Sequence, residues 1–152
     1  MQNYSNLVGD EEKWLLFEEG SDPQGASVYT SFESGQEIKQ ITLDDVEVLK
    51  TIAPASPTVL MIDVEGYEPK VLRGAGELIA RLRPLIIFEY NFVSKRHFTI
   101  DEIREAIGEE YDVFRLRQDA KLDSNIENAW NCVGIPRESI FEQVLKTRIC
   151  AD

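Results

Sequence analysis

The stretch MIDVEGYEPKVLRGAGELIARLRPLIIFEY, residues 61–90, decides the fold of this chain. It begins inside one apolar run, Thr58–Ile62, and ends just after a second, Leu85–Phe88. Continuous apolar runs of this length are typical of strands that are buried in a parallel sheet. Between the two runs the apolar residues recur at helical spacing. The stretch therefore predicts a strand, a helix and a second strand.

One helix is predicted between the two strands. Pro69 suits its first turn, where a proline loses no hydrogen bond, and Pro84 ends it. Gly74 and Gly76 lie inside the helical pattern. The apolar stripe consists of Val71, Leu72, Ala75, Leu78, Ile79 and Leu82.

The segments before residue 58 predict short strands and a further helix. Strands are expected at residues 13–18, 27–32 and 37–41. Thr42 is expected to cap a short helix that ends before Pro54.

The segments after residue 90 continue the alternation of helices and strands. Thr99 and Glu102 match the capping-box pattern, so a helix is expected to begin there. Strands follow at residues 111–116 and 131–135, and a last helix begins at about Arg137. This order predicts an α/β fold whose sheet is mostly parallel, with an antiparallel pair at the carboxyl-terminal end.

Composition sets the class of protein. The chain has 152 residues, of which 43% are hydrophobic and 29% charged, so one domain over residues 1–152 is expected. The formal net charge is −12. This charge argues against binding of nucleic acid, because phosphate contacts need concentrated Lys and Arg.

Cysteine and histidine content argues against a zinc site or a disulfide scaffold. The chain has two cysteines, Cys132 and Cys150, and one histidine, His97. The sequence also lacks the features of a secretory signal and any apolar run of transmembrane length. A cytoplasmic protein without a membrane partner is the default expectation.

Acidic residues follow both central strands. Asp63 comes directly after the first strand and Glu89 directly after the second, so both are expected at the carboxyl edge of the sheet, where open α/β folds bind ligands. Asp63 has two open readings: it contacts a substrate or cofactor, or it caps the next helix. Glu65 and Glu68 suit the positive end of that helix.

The neighbouring residues also leave alternatives open. Gly66 is expected to adopt a positive φ in a turn. Tyr90 and Asn91, after Glu89, suit either a polyhydroxylated ligand or a loop that satisfies its own backbone. His97 is expected on the solvated surface, with a general base as the alternative.

A metal site is a further alternative for the acids. Asp63, Glu65 and Glu89 offer the carboxylate oxygens that hard cations prefer. No spacing in the sequence requires such a site, and no metal is among the expected cofactors.

Several segments together resemble one enzyme family. ITLDDV, VLMIDVEGYEPKVLRGAGELIARLRPLIIFEY and NAWNCVGIP are similar to the carboxyl-terminal half of the FkbM-type methyltransferase domain, over roughly residues 5–137. The resemblance implies a class I, Rossmann-like fold and transfer of a methyl group from S-adenosylmethionine to a hydroxyl. The implied acceptor is a small molecule or glycan, such as a sugar, glycolipid or polyketide-like scaffold.

The resemblance also implies site residues. Asp63, Glu65 and Glu89 are expected to be catalytic, and Asp63 and Gly66 to bind the cofactor. Ser27, Tyr90 and Asn91 are expected to contact the substrate; Ser27 rests on the resemblance alone.

One part of the family pattern is missing from the sequence. No strand leads into a glycine-rich turn of the GxG type, which holds nucleoside cofactors. A fragment or a truncated form is therefore expected, with an exposed strand edge that favours a homo-oligomer or a partner that supplies the amino-terminal half. The alternative is a non-catalytic interaction module that retains the methyltransferase fold.

Overall fold

The computed structural model describes residues 6–17, 36–54 and 56–150, which form two sheets and a set of short helices. The smaller sheet has three strands, β1 (Leu7–Val8), β2 (Lys13–Phe17) and β3 (Gln36–Ile41). β3 lies in the centre, parallel to β1 and antiparallel to β2. The strands expected at residues 13–18 and 37–41 are thereby confirmed, and the one expected at 27–32 lies outside the described residues.

The larger sheet has five strands in the order β4-β5-β8-β6-β7. They are β4 (Val59–Ile62), β5 (Leu85–Glu89), β6 (Tyr111–Leu116), β7 (Leu122–Asp123) and β8 (Asn131–Pro136). Only β4 and β5 pair in parallel, and the other three ladders are antiparallel. The expectation of a mostly parallel sheet was therefore wrong.

The path of the chain explains this difference. Helices join β4 to β5 and β5 to β6, so these three strands run in one direction. Residues 117–130, between β6 and β8, contain the short strand β7 and no helix. Without a crossover helix the chain turns back, and β8 enters between β5 and β6 in the opposite direction.

Five α-helices lie in the described residues. They are α1 (Glu47–Lys50), α2 (Glu68–Arg73), α3 (Gly76–Leu82), α4 (Ile100–Ile107) and α5 (Ile140–Leu145), with 3₁₀ turns at Ser94–Arg96 and Lys146–Arg148. None of them is long and apolar enough to cross a lipid bilayer. The capping box that begins α4 is confirmed, with Thr99 N–H donating to Glu102 Oε2 at 2.8 Å.

The single helix expected after Pro69 is in fact two helices, α2 and α3. Asp44 lies against the break: its backbone N–H donates to Gly74 O at 3.0 Å. Its carboxylate accepts from the backbone N–H groups of Glu77 and Leu78, at 3.0 and 2.9 Å. Asp44 therefore caps α3 from a distant segment, a contact that local spacing does not reveal.

The cap expected for α1 was also wrong. Thr42 lies before the helix, where its Oγ1 accepts from the backbone N–H of Asp45 at 3.2 Å. α1 itself begins at Glu47, and Val46 occupies the cap position without a side-chain hydrogen bond.

The core lies mainly on one face of the five-stranded sheet. Buried side chains of β4, β5, α2, α3 and α4 pack there, among them Ile62, Leu72, Ile86, Phe88 and Ile103. A smaller cluster on the other face joins Val133 and Ile135 to Phe141 and Leu145 of α5. On β4, by contrast, Val59 and Met61 are 55% and 74% exposed.

Gly74 and Gly76 give a matched pair of substitutions. A Cβ at Gly74 would lie 1.9 Å from the backbone oxygen of Gly9, whereas one at Gly76 would meet nothing within 4 Å. We expect Gly74→Ala to lower the free energy of unfolding by about 3 kcal/mol. Gly76→Ala should leave it unchanged or raise it by up to about 1 kcal/mol, because alanine favours helix. Urea unfolding followed by circular dichroism measures both, and equal effects would contradict the close approach of residue 9 to the helix break.

Candidate functional site

Three carboxylates meet at the carboxyl edge of the β4–β5 pair. Asp63 follows β4, Glu65 lies in the next turn, and Glu89 is the last residue of β5. One carboxylate oxygen from each lies within 4.8 Å of the others. We call these three residues the carboxylate cluster. The expectation that the strand-end acids share one edge is confirmed, whereas their roles in catalysis and cofactor binding stay predictions.

The turn that carries Glu65 has an unusual backbone. Glu65 has φ 51° and Gly66 has φ 102°, so two consecutive residues are left-handed. The turn is closed by Tyr67 N–H, which donates to Val64 O at 3.3 Å. The positive φ expected of Gly66 is confirmed. For Glu65 the same region costs about 1–2 kcal/mol, so the turn holds that carboxylate against a local preference.

Glu68 lies beneath this turn. Its side chain is fully buried, and Oε1 accepts from Val64 N–H at 3.3 Å. Oε2 is buried without a hydrogen-bond partner. Burial, with a smaller contribution from the charge of Glu89, outweighs the hydrogen bonds that Glu68 accepts from the backbone and raises the pKa of Glu68 to about 6. Glu68 is therefore a buried acid beside the carboxylate cluster.

Glu89 is the least exposed member of the cluster. Its Oε2 is buried and has no hydrogen-bond partner. Burial raises the pKa of Glu89, and the charges of Asp63 and Glu65 raise it further. α2 begins after Tyr67, whose side chain makes no cap hydrogen bond. Both readings of Asp63, contact with a ligand and capping of this helix, stay open.

The carboxylate cluster concentrates negative charge at one edge of the sheet. Within residues 6–17, 36–54 and 56–150, none of Asp63, Glu65, Glu68 and Glu89 forms an ion pair with lysine or arginine. His97 lies close by: a Cβ on Gly66 would come within 2.8 Å of its Cδ2. His97 is exposed, as the sequence predicted, and its ring lies against the turn.

Tyr90 and Asn91 make structural contacts. The ring of Tyr90 is buried against Phe98, with centroids 5.5 Å apart. Asn91 Oδ1 accepts from the backbone N–H groups of Val93 and Ser94, at 2.7 and 3.0 Å. Of the two readings left open, Asn91 thus supports a loop that satisfies its own backbone. Contact with a substrate stays a prediction for both residues, and Ser27 lies outside the described residues.

Two exposed aromatic residues at the same edge of the sheet were missed. Phe92 and Trp130 are 62% and 61% exposed, and their rings meet edge to face with centroids 6.3 Å apart. Tyr90 N–H donates to Trp130 O at 2.9 Å, which ties the two segments together. No signal in the sequence reveals this pair, because the two residues meet only where β8 runs antiparallel to β5 and begins beside the end of that strand.

Comparison with known proteins decides the family. The model of the methyltransferase FkbM domain matches residues 2–118, which is more than half of the chain. The chain belongs to the FkbM methyltransferase domain family. No curated protein and no solved structure gives a significant match.

The matched range places the site within the FkbM domain. It includes the carboxylate cluster and all seven residues expected in catalysis or binding. β7, β8 and α5 follow the matched range, so the resemblance expected over residues 119–137 stays a prediction.

The pH dependence of the free energy of unfolding tests the raised pKa of Glu68. Its pKa in the folded chain, about 6, lies above the ordinary 4.5, so folding favours the protonated form. Its contribution to stability is complete below pH 4.5 and is lost as pH rises through 6. We expect Glu68→Gln to gain up to about 2 kcal/mol relative to the wild type between pH 4.5 and 7.

Urea unfolding of both proteins in chelator-treated buffer measures this difference. Glu105→Gln, which removes an exposed acid of α4, is the control and should follow the wild type at each pH. A difference between Glu68→Gln and the wild type that does not change with pH would contradict the raised pKa.

Proposed function

We propose that this FkbM domain transfers a methyl group from S-adenosylmethionine to a hydroxyl oxygen of a small molecule or glycan. The observation that carries the proposal is the carboxylate cluster, which lies within the range matched by the family. Open α/β folds bind their ligands at this edge of the sheet, beyond the carboxyl ends of the strands.

The chemistry of the cluster suits such a cofactor. S-adenosylmethionine carries a cationic sulfonium and an ammonium group, and Asp63 and Glu65 are exposed anions without a lysine or arginine partner in the described part of the chain. We assign these two residues to the cofactor, with Gly66 allowing close approach of the turn. When bound, the cofactor supplies an electrophilic methyl group.

Glu89 is the best candidate for the general base. A hydroxyl oxygen that attacks a methyl group gains positive charge and must release its proton. The raised pKa of Glu89 makes its carboxylate a stronger proton acceptor than an ordinary surface glutamate. Its place between a buried strand and the open edge limits its movement, and fixed placement of the reacting groups is a large part of catalysis of such transfers.

We also propose a Rossmann-like sheet and a cytoplasmic location for this domain. The common direction of β4, β5 and β6, with β8 reversed between the last two, supports a Rossmann-like methyltransferase sheet. The two unpaired cysteines, Cys132 and Cys150, support the reducing cytoplasm as its compartment.

A second candidate function rests on β4. In the described residues β4 pairs only with β5, so its other edge carries unpaired backbone groups beside the exposed Val59 and Met61. Such an edge can add a strand from another chain. This observation favours a non-catalytic module that binds a partner or a second copy of itself.

Calorimetric titration with S-adenosylhomocysteine tests the first candidate. We expect saturable binding that Asp63→Asn weakens by about tenfold, the effect of losing roughly 1.4 kcal/mol of interaction. Glu105→Gln removes the same charge from α4 and should bind as the wild type does.

A folded chain without affinity for S-adenosylhomocysteine would contradict the methyltransferase proposal. The second candidate function then predicts that the chain forms a stable assembly, which analytical ultracentrifugation would detect. Met61→Lys, which places a charge beside the open edge of β4, should dissociate that assembly, because natural edge strands use lysine to block pairing.

A further inference from the structure

A buried side chain holds each of the two turns at the carboxyl edge of β4 and β5. After β5, the buried Asn91 accepts from the backbone N–H groups of Val93 and Ser94. After β4, the fully buried Glu68 accepts from the backbone N–H of Val64, at 3.3 Å from Oε1. Each turn is therefore attached to the interior by a polar side chain.

More than one backbone group of the turn after β4 interacts with Glu68. The N–H groups of Val64, Gly66 and Glu68 itself all favour the ionised carboxylate, because each lowers the pKa of Glu68 against the effect of burial. Asp63 and Glu65, by contrast, are exposed. The turn thus offers backbone donors to a buried carboxylate, while its own two carboxylates are open to solvent.

The backbone of this turn does not hold its shape through local preference. Glu65 has φ 51° and Gly66 has φ 102°, and the left-handed region is unfavourable for a residue with a side chain. A long hydrogen bond, 3.3 Å from Tyr67 N–H to Val64 O, closes the turn. The bond from Val64 N–H to Glu68 is a second anchor that keeps the turn in one conformation.

The choice of a glutamate for this anchor is informative, because burial of a carboxylate is unfavourable. Within residues 6–17, 36–54 and 56–150, Glu68 is the only buried acid, and its Oε2 has no hydrogen-bond partner. An apolar or neutral polar side chain would avoid the desolvation of a charge. What the charge provides is a stronger bond to the backbone donors, since an ionised acceptor binds N–H groups more strongly than a neutral one.

We propose that Glu68 is a positioning residue, whose buried carboxylate holds the backbone N–H groups of Val64 and Gly66 and so fixes Asp63 and Glu65 for the cofactor. This inference rests on the proposed function, in which Asp63 and Glu65 bind S-adenosylmethionine. Glu68 acts through the turn, because it is fully buried behind it. A turn that is already fixed in the free chain does not have to be ordered on binding, which raises affinity.

Glu68→Gln separates positioning from stability. The amide keeps the size of the side chain, but it is neutral and has one acceptor oxygen instead of two. Removal of the buried charge makes this variant more stable than the wild type at pH 7, whereas we expect it to bind S-adenosylhomocysteine about fivefold more weakly, because a smaller fraction of the chains holds the binding conformation. Calorimetric titration at pH 7 measures the affinity, and urea unfolding of the same samples measures the stability.

Amide hydrogen exchange of the free chain tests the attachment of the turn without any ligand. In Glu68→Gln the amides of Val64 and Gly66 should exchange about fivefold faster than in the wild type at pH 7. The amides of α4 should exchange no faster, because the fold as a whole is more stable. Glu105→Gln, which removes an exposed acid of α4, is the matched control and should behave as the wild type in both measurements.

Equal exchange at Val64 and Gly66 in Glu68→Gln and the wild type would overturn the proposal. Faster exchange with unchanged affinity would overturn it too, since the turn would then bind the ligand without help from Glu68. A wild type that does not bind S-adenosylhomocysteine would contradict the proposed function, and exchange in the free chain would still decide whether Glu68 holds the turn.

Discussion

The parallel ladder between β4 and β5 is the constraint on which the rest of the structure depends. It runs from Val59 opposite Leu85 to Ile62 opposite Phe88, and so aligns the last residues of both strands. Parallel pairing requires a crossover, which α2 and α3 provide while they cover one face of the sheet. The same pairing brings the acid after each strand to one edge, so core and site have a common cause.

The site departs from what stability alone would select. The left-handed Glu65, the fully buried Glu68 and the half-buried Glu89 each cost folding free energy. Such costs, concentrated in one turn and one strand end, are typical of functional sites, where selection keeps geometry at the expense of stability. The FkbM family assignment gives this turn a chemical context.

Much of the fold could be predicted from the sequence, because continuous apolar runs and a capping box are local signals. The strands at 58–62 and 85–88 and the helix after Thr99 are of this kind. The break at Gly74 could not be predicted, since Asp44 acts from thirty residues away. Nor could the place of β8 between β5 and β6, because an apolar run does not specify its neighbours.

The candidate site was predictable to a similar extent. The meeting of Asp63 and Glu89 follows from two strand ends, whereas the burial of Glu68 depends on how the turn folds back over it. Asn91 looked equally suited to a ligand and to its own loop, and only the hydrogen bonds to Val93 and Ser94 favour the second.

Amide resonances of the isotope-labelled chain, followed by NMR during titration with S-adenosylhomocysteine, test the central claim most directly. The account places the ligand at the carboxyl edge of β4 and β5. It therefore predicts the largest shifts at residues 63–66 and 89–91, and their loss in Asp63→Asn. Largest shifts elsewhere, or none in a folded chain, would contradict the assignment of this edge as the cofactor site.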